Sequence, residues 1–318
     1  MFVLCGIFSF LTSVTISVKD VQKKNYGKVE KLIAKKAVVP ETVLPAAIAL
    51  GDEKMVKLLI DGGADVNGGS KTDTLTMCNL SLAASSRNYN IVKLLVDAGA
   101  NVNNTAGTDG ITPLGDAAFY GNIDIIKLLV EKKADVNAQD TAIGNTILMD
   151  AIIMKTDSKK SKSEILAIVK ILVAGKADLN LCGIDGSSPL LRAVEKGHAE
   201  IADILIENGA DLEKKGSMGQ TALMFAISHK QFDIAKVLIN KGANANIKDE
   251  KGQTPLFFAV AMENTELVEA LCQKGADMNT EHNFGTMKAT IYSFVQIKTM
   301  FGGSETMQEI GKILNKYK

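Results

Sequence analysis

The side chains best suited to chemistry in this sequence are three histidines, four cysteines and 36 carboxylates. Imidazole, thiolate and carboxylate groups hold a metal ion when three or four of them converge. His198, His229 and His282 stand apart from one another, and no ligand-like spacing surrounds them. We therefore predict no metal site and no cofactor.

The cysteines do not predict a disulfide framework. Cys5 lies in an apolar N-terminal segment, and Cys78, Cys182 and Cys272 are far apart without any Cys-x-x-Cys spacing. A disulfide requires two Cα atoms within about 7 Å of each other. We expect free thiols, most of them buried.

Catalysis by common mechanisms requires motifs that this sequence lacks. It contains no Gly-x-Ser-x-Gly, no P-loop, no His-Glu-x-x-His and no Gly-x-Gly-x-x-Gly. Gly302-Gly303 is not followed by the Lys-Ser or Lys-Thr pair of a P-loop. The carboxylates are scattered along the chain, and we predict that the protein is not an enzyme.

Composition excludes a second class of function. The 36 basic and 36 acidic residues cancel, whereas a protein that binds nucleic acid usually carries a basic excess. The sequence has no Trp and only 5% aromatic residues, which leaves little material for stacking against bases. With 46% hydrophobic residues, the 318-residue chain is typical of soluble globular proteins, and nucleic acid is not an expected partner.

The first eighteen residues form a segment of their own. Residues 2–18 are uncharged and mostly apolar, and Lys19 and Asp20 end the run. Its length is marginal for a membrane span, and its densest part has the length of a signal-peptide core. No basic residue precedes it and no Ala-x-Ala follows. We predict a signal or anchor over residues 1–18, so that the protein is exported (periplasmic or secreted) or membrane-anchored; a buried or disordered extension, a misplaced start codon and a cytoplasmic location are the alternatives.

Self-similarity dominates the rest of the chain. The segments VKLLIDGGADVN (56–67), VKLLVDAGANVN (92–103) and IKLLVEKKADVN (126–137) begin a series of seven. The same alanine recurs in each copy, at positions 64, 100, 134, 177, 210, 243 and 276. The spacing is close to 33 residues, which indicates stacked structural repeats.

A second pattern is in phase with the first. Another alanine stands seventeen residues earlier in six of the seven copies, and an insertion displaces it to Ala151 in the fourth. A leucine precedes this alanine by three residues in all seven copies: Leu44, Leu80, Leu114, Leu148, Leu190, Leu223 and Leu256. The segments ITPLGDAAFYGN (111–122) and QTPLFFAVAMEN (253–264) show the pattern most fully. Together these motifs resemble the ankyrin repeat, over residues 20–279.

The resemblance implies an all-α fold, an ankyrin-repeat α-solenoid of helix-turn-helix pairs with projecting β-hairpin loops. Helices of eight to ten residues are too short to be stable alone, so stability must come from stacking. The implied domains are an N-terminal half-repeat cap over residues 19–40 and a helical C-terminal cap over residues 280–318. The seven repeats between them are 41–67, 68–103, 104–137, 138–180, 181–213, 214–246 and 247–279.

Three departures from the family pattern have structural consequences. The histidine of the Thr-Pro-Leu-His motif is absent from all seven repeats. Lys133 and Lys176 replace the glycine that ends the second helix, and a left-handed conformation is costly for lysine. In the C-terminal cap, we predict a helix over residues 305–317 with Thr306 and Glu309 as its capping box.

The family binds partner proteins through hairpin tips and the exposed side of its first helices, which implies one surface by register. The tip positions are Thr108, Asp109, Asp185, Met218, Glu250 and Lys251. The positions after the hairpin glycine are Ile111, Asn145, Ser187, Gln220 and Gln253. The first-helix positions are Phe119, Tyr120 and Glu195, of which the exposed Phe-Tyr pair would serve as an anchor. A Lys-rich insertion at residues 154–166 is either a docking loop for an acidic partner or a solvated loop.

We therefore predict a monomeric, non-catalytic protein–protein interaction module that uses the hairpin tips and the concave face. The membrane is involved only through residues 2–18, if these are retained. Two alternatives remain open: a regulatory or inhibitory subunit of a specific enzyme, and a secreted effector that acts on another cell's proteins.

Overall fold

The computed structural model describes residues 15–71, 76–105, 110–154, 162–285 and 287–318. The chain forms two compact units, Met1–Asp135 and Val136–Lys318. Both units are built from antiparallel helix pairs, as the all-α prediction requires. Thr108, Asp109 and most of the Lys-rich insertion lie outside the described residues.

The described residues of the first unit form four helix pairs and one short β-hairpin. The first helices of the pairs pack against one another in sequence, and so do the second helices. The helices are α1 (Val18–Gln22), α2 (Tyr26–Ala34), α3 (Val43–Ala49), α4 (Glu53–Asp61), α5 (Asn79–Ser85), α6 (Tyr89–Asp97), α7 (Pro113–Phe119) and α8 (Ile123–Glu131). Strands β1 (Gly69–Lys71) and β2 (Thr76–Cys78) pair antiparallel between α4 and α5.

The second unit contains five helix pairs with the same two rows of contacts. The helices are α9 (Ile147–Ile153), α10 (Lys162–Ala174), α11 (Pro189–Glu195), α12 (Ala199–Glu207), α13 (Ala222–Ser228), α14 (Phe232–Asn240), α15 (Pro255–Ala261), α16 (Thr265–Gln273), α17 (Ile291–Met300) and α18 (Glu305–Lys316). Strands β3 (Glu281–Phe284) and β4 (Met287–Thr290) form a hairpin before α17.

Side-chain caps fix where the first helices begin. The hydroxyl of Thr112 accepts a hydrogen bond from the amide of Gly115, and Thr146, Ser188 and Thr221 accept equivalent bonds. Each bond satisfies one of the amides that a helix N-terminus leaves without a partner. In the second repeat the thiol sulfur of Cys78 takes this role for the amide of Ser81. The capping position of the repeat is therefore the residue before the Pro of the Thr-Pro-Leu motif.

The second helices end in a left-handed residue. Gly63, Gly99, Gly209, Gly242 and Gly275 have positive φ angles at this position. Lys133 and Lys176 adopt the same conformation, with φ of 66° and 69°. The repeat geometry thus imposes the left-handed conformation on lysine as the sequence predicted, and the predicted local weakness of these two joints stays a prediction.

Buried leucines form the contacts between neighbouring layers. In the first unit, Leu59, Leu95 and Leu129 are fully buried in the second helices, whereas Leu58 and Leu94 beside them are half-buried. Leu114, from the Thr-Pro-Leu motif, is buried in the first helix of its repeat. Burial of these aliphatic side chains is the main source of stability for helices of this length.

The last residue of each Gly-Ala-Asp-Val-Asn motif links consecutive repeats. The side-chain oxygen of Asn67 accepts the amide of Asn101 at 2.7 Å, and Asn180 accepts the amide of Asp211 at 2.8 Å. Glu213 replaces the asparagine in one repeat and accepts the amide of Asn244 in the same way. Because the bond crosses from one repeat to the next, this asparagine fixes the spacing of the layers.

The N-terminal layer contains more than the predicted half-repeat. Helix α1 precedes α2 and packs against α3, which is the position of a first helix. Ile16 is only 1% exposed, and Thr15 forms a parallel β-bridge with Val38. The side-chain oxygen of Ser17 accepts a hydrogen bond from the amide of Asp20 and so caps the start of α1. The predicted signal or anchor lies outside the described residues up to residue 14, and of the remaining four residues Ile16 is buried in this layer and Val18 is half-buried.

The C-terminal cap has the architecture of a further repeat. A hairpin, a first helix (α17) and a second helix (α18) follow in the usual order, and they pack on α15 and α16. The predicted helix over residues 305–317 corresponds to α18, with Met307, Ile310 and Leu314 buried. The predicted capping box at Thr306 and Glu309 is wrong. Ser304 caps α18 by accepting the amide of Met307, and its hydroxyl donates to Glu263.

The cysteines and the helix lengths bear on the predicted free thiols and on a possible membrane span. Cys78 and Cys272 are buried free thiols, and Cys182 is a half-buried one. In the described part of the chain, no helix has both the length and the apolar character needed to cross a membrane.

Candidate partner-binding surface

Large apolar side chains that reach solvent are concentrated in the same part of most of the repeats that carry them. Apart from Tyr89, all of those described lie in a loop that precedes a first helix or toward the end of a first helix. They are Val38, Leu50, Ile111, Phe119, Tyr120, Ile143, Ile184, Met218, Ile297, Met300 and Phe301. Scattered exposed apolar residues are ordinary, whereas their concentration on one side indicates an interaction surface.

In the first unit, this surface centres on an aromatic pair at the end of α7. The rings of Phe119 and Tyr120 meet edge to face with centroids 5.2 Å apart. Arg87 lies beside them and donates a hydrogen bond to the Tyr120 carbonyl at 2.6 Å. Ile111, in the loop before α7, is also exposed. The structure therefore leaves three of the predicted positions accessible on one side of the first unit.

In the second unit, two neighbouring hairpin tips present isoleucine. Ile143 is 52% exposed and Ile184 is 75% exposed. The amide of Ile184 donates to the carbonyl of Ile143 at 3.0 Å, which joins the tips. The carboxylate of Asp140 accepts the amides of Ala142 and Ile143, so the loop is held by hydrogen bonds. These exposed side chains consequently stand on fixed backbone.

The next two tips of the second unit are joined in the same way. Met218 is exposed and left-handed, with φ of 64°, and its carbonyl accepts the amide of Glu250 at 3.1 Å. One carboxylate oxygen of Asp249 accepts the amides of Lys251 and Gln253. Glu250 and Lys251 are exposed at this tip, as their register predicted.

Two of the predicted binding positions lie below the surface on which the register had placed them. Asn145 and Ser187 are buried, because the position after the hairpin glycine closes the hairpin. The carbonyl of Asn145 accepts the amide of Asp140, and its side-chain amide donates to Asp150. The hydroxyl of Ser187 donates to Asp185. Gln220 and Gln253 also close their hairpins through backbone bonds, and they are half-buried.

A recess of about 350 Å³ lies between the isoleucine tips and the ends of α9 and α11. Its lining residues are Ala142, Ile143, Asn145, Ile153, Ile184, Asp185, Arg192, Glu195 and Lys196. Two of the predicted residues, Asp185 and Glu195, therefore lie in one site. Arg192, which is 17% exposed, bridges them at 2.9 Å and 3.1 Å. The pair with Asp185 connects the hairpin to α11, and the pair with Glu195 lies within α11.

The environment alters the acidity of the carboxyls around this recess. Burial raises the pKa of Asp150 above its ordinary value, while the hydrogen bond from Asn145 opposes the rise. Burial alone would also raise the pKa of Asp185, but bonds from Ser187 and the charge of Arg192 hold it below its usual range. Asp185 is therefore charged at neutral pH, and it is balanced by Arg192.

Two smaller recesses lie elsewhere. One, of about 270 Å³, is lined by Tyr89, Asp124, Lys127, Leu128 and Glu131 on the second helices of the first unit. The other, of about 250 Å³, lies beside His198 at the start of α12. Burial lowers the pKa of His198, and a bond from its ring to the carbonyl of Ile152 opposes the shift. Among the described residues, no three His, Cys, Asp or Glu side chains converge as metal ligands would.

Sequence reasoning missed Ile143, Ile153, Ile184 and Arg192. Ile143 and Ile184 stand one or two residues before a hairpin glycine, where polar turn residues are usual. An apolar side chain at a turn position was the detectable feature. The pairing of Arg192 with Asp185 depends on how the hairpin folds over α11, which residue spacing alone does not show.

The comparisons with known proteins agree on the fold. The family described as ankyrin repeats (3 copies) matches residues 20–106, 80–161, 143–216, 160–249 and 213–282. Among solved structures, the chain is similar to the ankyrin repeat domain of Bcl-3, a member of the IkappaB protein family. That likeness has a TM-score of 0.61 and 24% sequence identity, and it covers 72% of this chain and 96% of the other, so it shows the fold alone. A search of curated proteins finds no match.

Proposed function

The chain belongs to the ankyrin-repeat family, and from that premise we propose that it is a non-catalytic module that binds a partner protein through its hairpin tips and the exposed side of its first helices. Ankyrin repeats serve protein–protein interaction in general. The assignment of binding to the hairpin tips and first helices rests on where this chain exposes large apolar side chains.

One observation carries the proposal: the exposed large apolar side chains stand on hairpin loops and first helices, with Tyr89 the exception among those described. A solvent-facing second helix needs no such residues, and in this chain its exposed positions are mostly polar or charged. Aromatic and aliphatic anchors surrounded by polar groups are typical of interaction hot spots.

The first unit offers a matched pair of side chains for the test. Tyr120 at the end of a first helix and Tyr89 at the start of a second helix are both 40% exposed. The tagged full chain is isolated from the cells that produce it, as wild type, as Phe119→Ser/Tyr120→Ser, as Ile143→Ser/Ile184→Ser and as Tyr89→Ser. We expect a discrete protein to co-purify with the wild type and with Tyr89→Ser, and to fall at least tenfold with one of the double variants.

The opposite pattern would reject the proposal. If both double variants retained the same partners at the same yield, the hairpin and first-helix surface would not be the binding surface. Far-ultraviolet circular dichroism on each variant shows whether its helices are intact, so that a folding defect is not read as a binding defect.

That the protein is exported or anchored to a membrane is a separate proposal, which the apolar segment at residues 2–18 supports. Ile16 is buried against the first layer, and removal of Ser17 would remove the cap of α1. We therefore propose that any cleavage leaves residues 15–18 in the mature chain. The intact mass of the native protein, measured in soluble, membrane and extracellular fractions, tests both statements: a cut at or beyond residue 16 would reject the second, and a full-length soluble cytoplasmic chain would reject export.

A further inference from the structure

We propose that the recess between the tips at Ile143 and Ile184 and the ends of α9 and α11 binds a short peptide segment of the partner that presents an aliphatic or aromatic side chain beside a Lys or Arg. The proposal rests on the protein-binding function proposed above, and it adds the place and the chemistry of the partner.

The apolar side of the recess is rigid and accessible. Ile143 and Ile184 project from tips that a backbone hydrogen bond joins, and Ile153 at the end of α9 faces the same recess. Gly144 has a left-handed φ of 66°, and a Cβ atom there would lie 3.1 Å from Cγ1 of Ile184. Tips that are already ordered lose little conformational entropy when a partner binds, so their side chains can act as anchors.

The polar side of the recess favours a cation. Asp185 and Glu195 line it, and Asp140 lies close enough to Asp150 for its negative charge to raise the pKa of Asp150. Arg192 and Lys196 balance the two carboxylates of the lining, and Asp140 and Asp150, which accept hydrogen bonds from the lining residues Ile143 and Asn145, make the surroundings of the recess net negative. An acidic segment would meet repulsion here, whereas a basic one is electrostatically complementary.

Glu195 is the carboxylate best placed to receive the partner's cation. Arg192 uses Oε2 of Glu195 at 3.1 Å, and Oε1 accepts no hydrogen bond within the described part of the chain. Asp185, in contrast, is occupied by the amide and hydroxyl of Ser187 as well as by Arg192. A Lys or Arg that binds Oε1 would leave the ion pairs of Arg192 in place.

The volume of the recess limits the size of the peptide segment that it can bind. A recess of about 350 Å³ is near the lower end of ligand sites in proteins. It can hold one or two side chains with the backbone between them, which matches an exposed peptide segment.

A random heptapeptide library displayed on phage, selected against the immobilised full chain, tests the proposal without a known partner. We expect the enriched peptides to carry an aliphatic or aromatic residue within two positions of a Lys or Arg. The most enriched peptide is then synthesised, and its affinity is measured by fluorescence anisotropy for wild type and variants. Ile184→Ser should weaken binding at least tenfold, and Glu195→Gln at least threefold.

Two matched variants serve as controls. Tyr89→Ser removes an exposed aromatic side chain from α6 in the first unit, and Glu207→Gln removes an exposed glutamate from α12. Both should leave the affinity unchanged. Enrichment of acidic peptides, binding that Ile184→Ser does not weaken, or no enrichment at all would overturn the inference. Peptides that respond to Tyr89→Ser alone would also overturn it while leaving the proposed function standing, because that function fails only if the co-purifying partner ignores both double variants.

Discussion

At the scale of single residues, the buried imidazole of His282 makes the second unit sensitive to pH. His282 is buried in β3, with Nε2 3.4 Å from the hydroxyl of Thr254. Burial lowers the pKa of His282 below its ordinary value of 6.5, Lys248 acts in the same direction, and Asp249 and Asp277 oppose the shift. The unfolded chain therefore binds this proton at a higher pH than the folded chain does.

We predict that the free energy of unfolding falls as the pH drops below about 6.5, because protonation favours the unfolded state there. His282→Gln should flatten part of this dependence, and His198, whose pKa burial also lowers, should account for another part. Urea unfolding at several pH values between 5 and 8 measures the effect. His229→Gln, which changes an exposed ring, is the control, and an unchanged slope in His282→Gln would contradict the prediction.

Leu129 tests the packing of the first unit. It is fully buried in α8, so its truncation leaves a cavity. We expect Leu129→Ala to lower the free energy of unfolding by about 2–5 kcal/mol. Leu50→Ala removes a leucine that is largely exposed, and it should change the free energy by less than about 0.5 kcal/mol. Equal losses in the two variants, measured by chemical denaturation, would show that α8 does not bury this face.

At the scale of elements, the cap of α18 distinguishes the structure from the sequence-based expectation. Ser304 accepts the amide of Met307 at 3.1 Å, whereas Thr306 lies inside the helix. We predict that Ser304→Ala costs about 1 kcal/mol. Thr306→Ala should cost nothing, because alanine is the better helix former. Thermal unfolding of the two variants measures the loss of stability in each. A larger loss in Thr306→Ala than in Ser304→Ala would show that Thr306, as the capping box requires, caps α18.

The N-terminal layer provides a second test at this scale. Asp20 pairs with Lys28 at 2.8 Å, and hydrogen bonds from Lys28 and Ser17 lower the pKa of Asp20 to about 2. The charged carboxylate therefore stabilises the layer above the ordinary value of 3.8, and this contribution is lost as the pH falls toward 2.

We expect Asp20→Asn to be less stable than wild type at pH 7, with a difference that shrinks as the pH is lowered from 4 to 2. Glu30→Gln, an exposed carboxylate on α2, is the control. Urea unfolding at pH 7 and between pH 4 and pH 2 measures the difference in stability between Asp20→Asn and wild type. If Asp20→Asn matched wild type at every pH, α1 would not be held to the fold as the structure describes.

The elements that could be predicted from the sequence are those whose pattern repeats. The phased leucines and alanines locate the helix pairs from residue 41 to residue 279, and the apolar face of residues 305–317 locates α18. The hairpin and first helix of the C-terminal layer were not predicted, because Thr290-Ile291-Tyr292 has tyrosine where the seven repeats have leucine. Helix α1 was missed for a related reason, since an apolar run hides its start.

The candidate site was only partly predictable for a different reason. Register places Met218, Glu250 and Lys251 at hairpin tips, and it correctly leaves Phe119 and Tyr120 exposed at the end of a first helix. Register does not give side-chain direction, so it assigned Asn145 and Ser187 to the surface although hairpin closure buries them. The ion pair of Arg192 with Asp185 depends on a contact between a hairpin and a helix, which no local pattern encodes, whereas its pair with Glu195 follows the ordinary i,i+3 spacing within α11.

At the scale of the whole molecule, binding should divide the surface of the repeats into two classes of position. Hairpin tips and first helices carry most of the exposed large apolar side chains in both units, whereas the second helices present mainly polar and charged side chains. A partner that recognises these repeats should therefore contact Tyr120 or Ile184 and should leave Tyr89 in solvent.

Site-resolved photo-crosslinking tests this central claim most directly. The photoreactive residue p-benzoylphenylalanine is placed singly at Tyr120, Ile184, Met218 or Tyr89 in the full chain, inside the cells that produce it. The account predicts a discrete protein adduct from one or more of the first three positions and none from Tyr89, which is as exposed as Tyr120. An adduct from Tyr89 alone would place the partner on the second helices and would contradict the account.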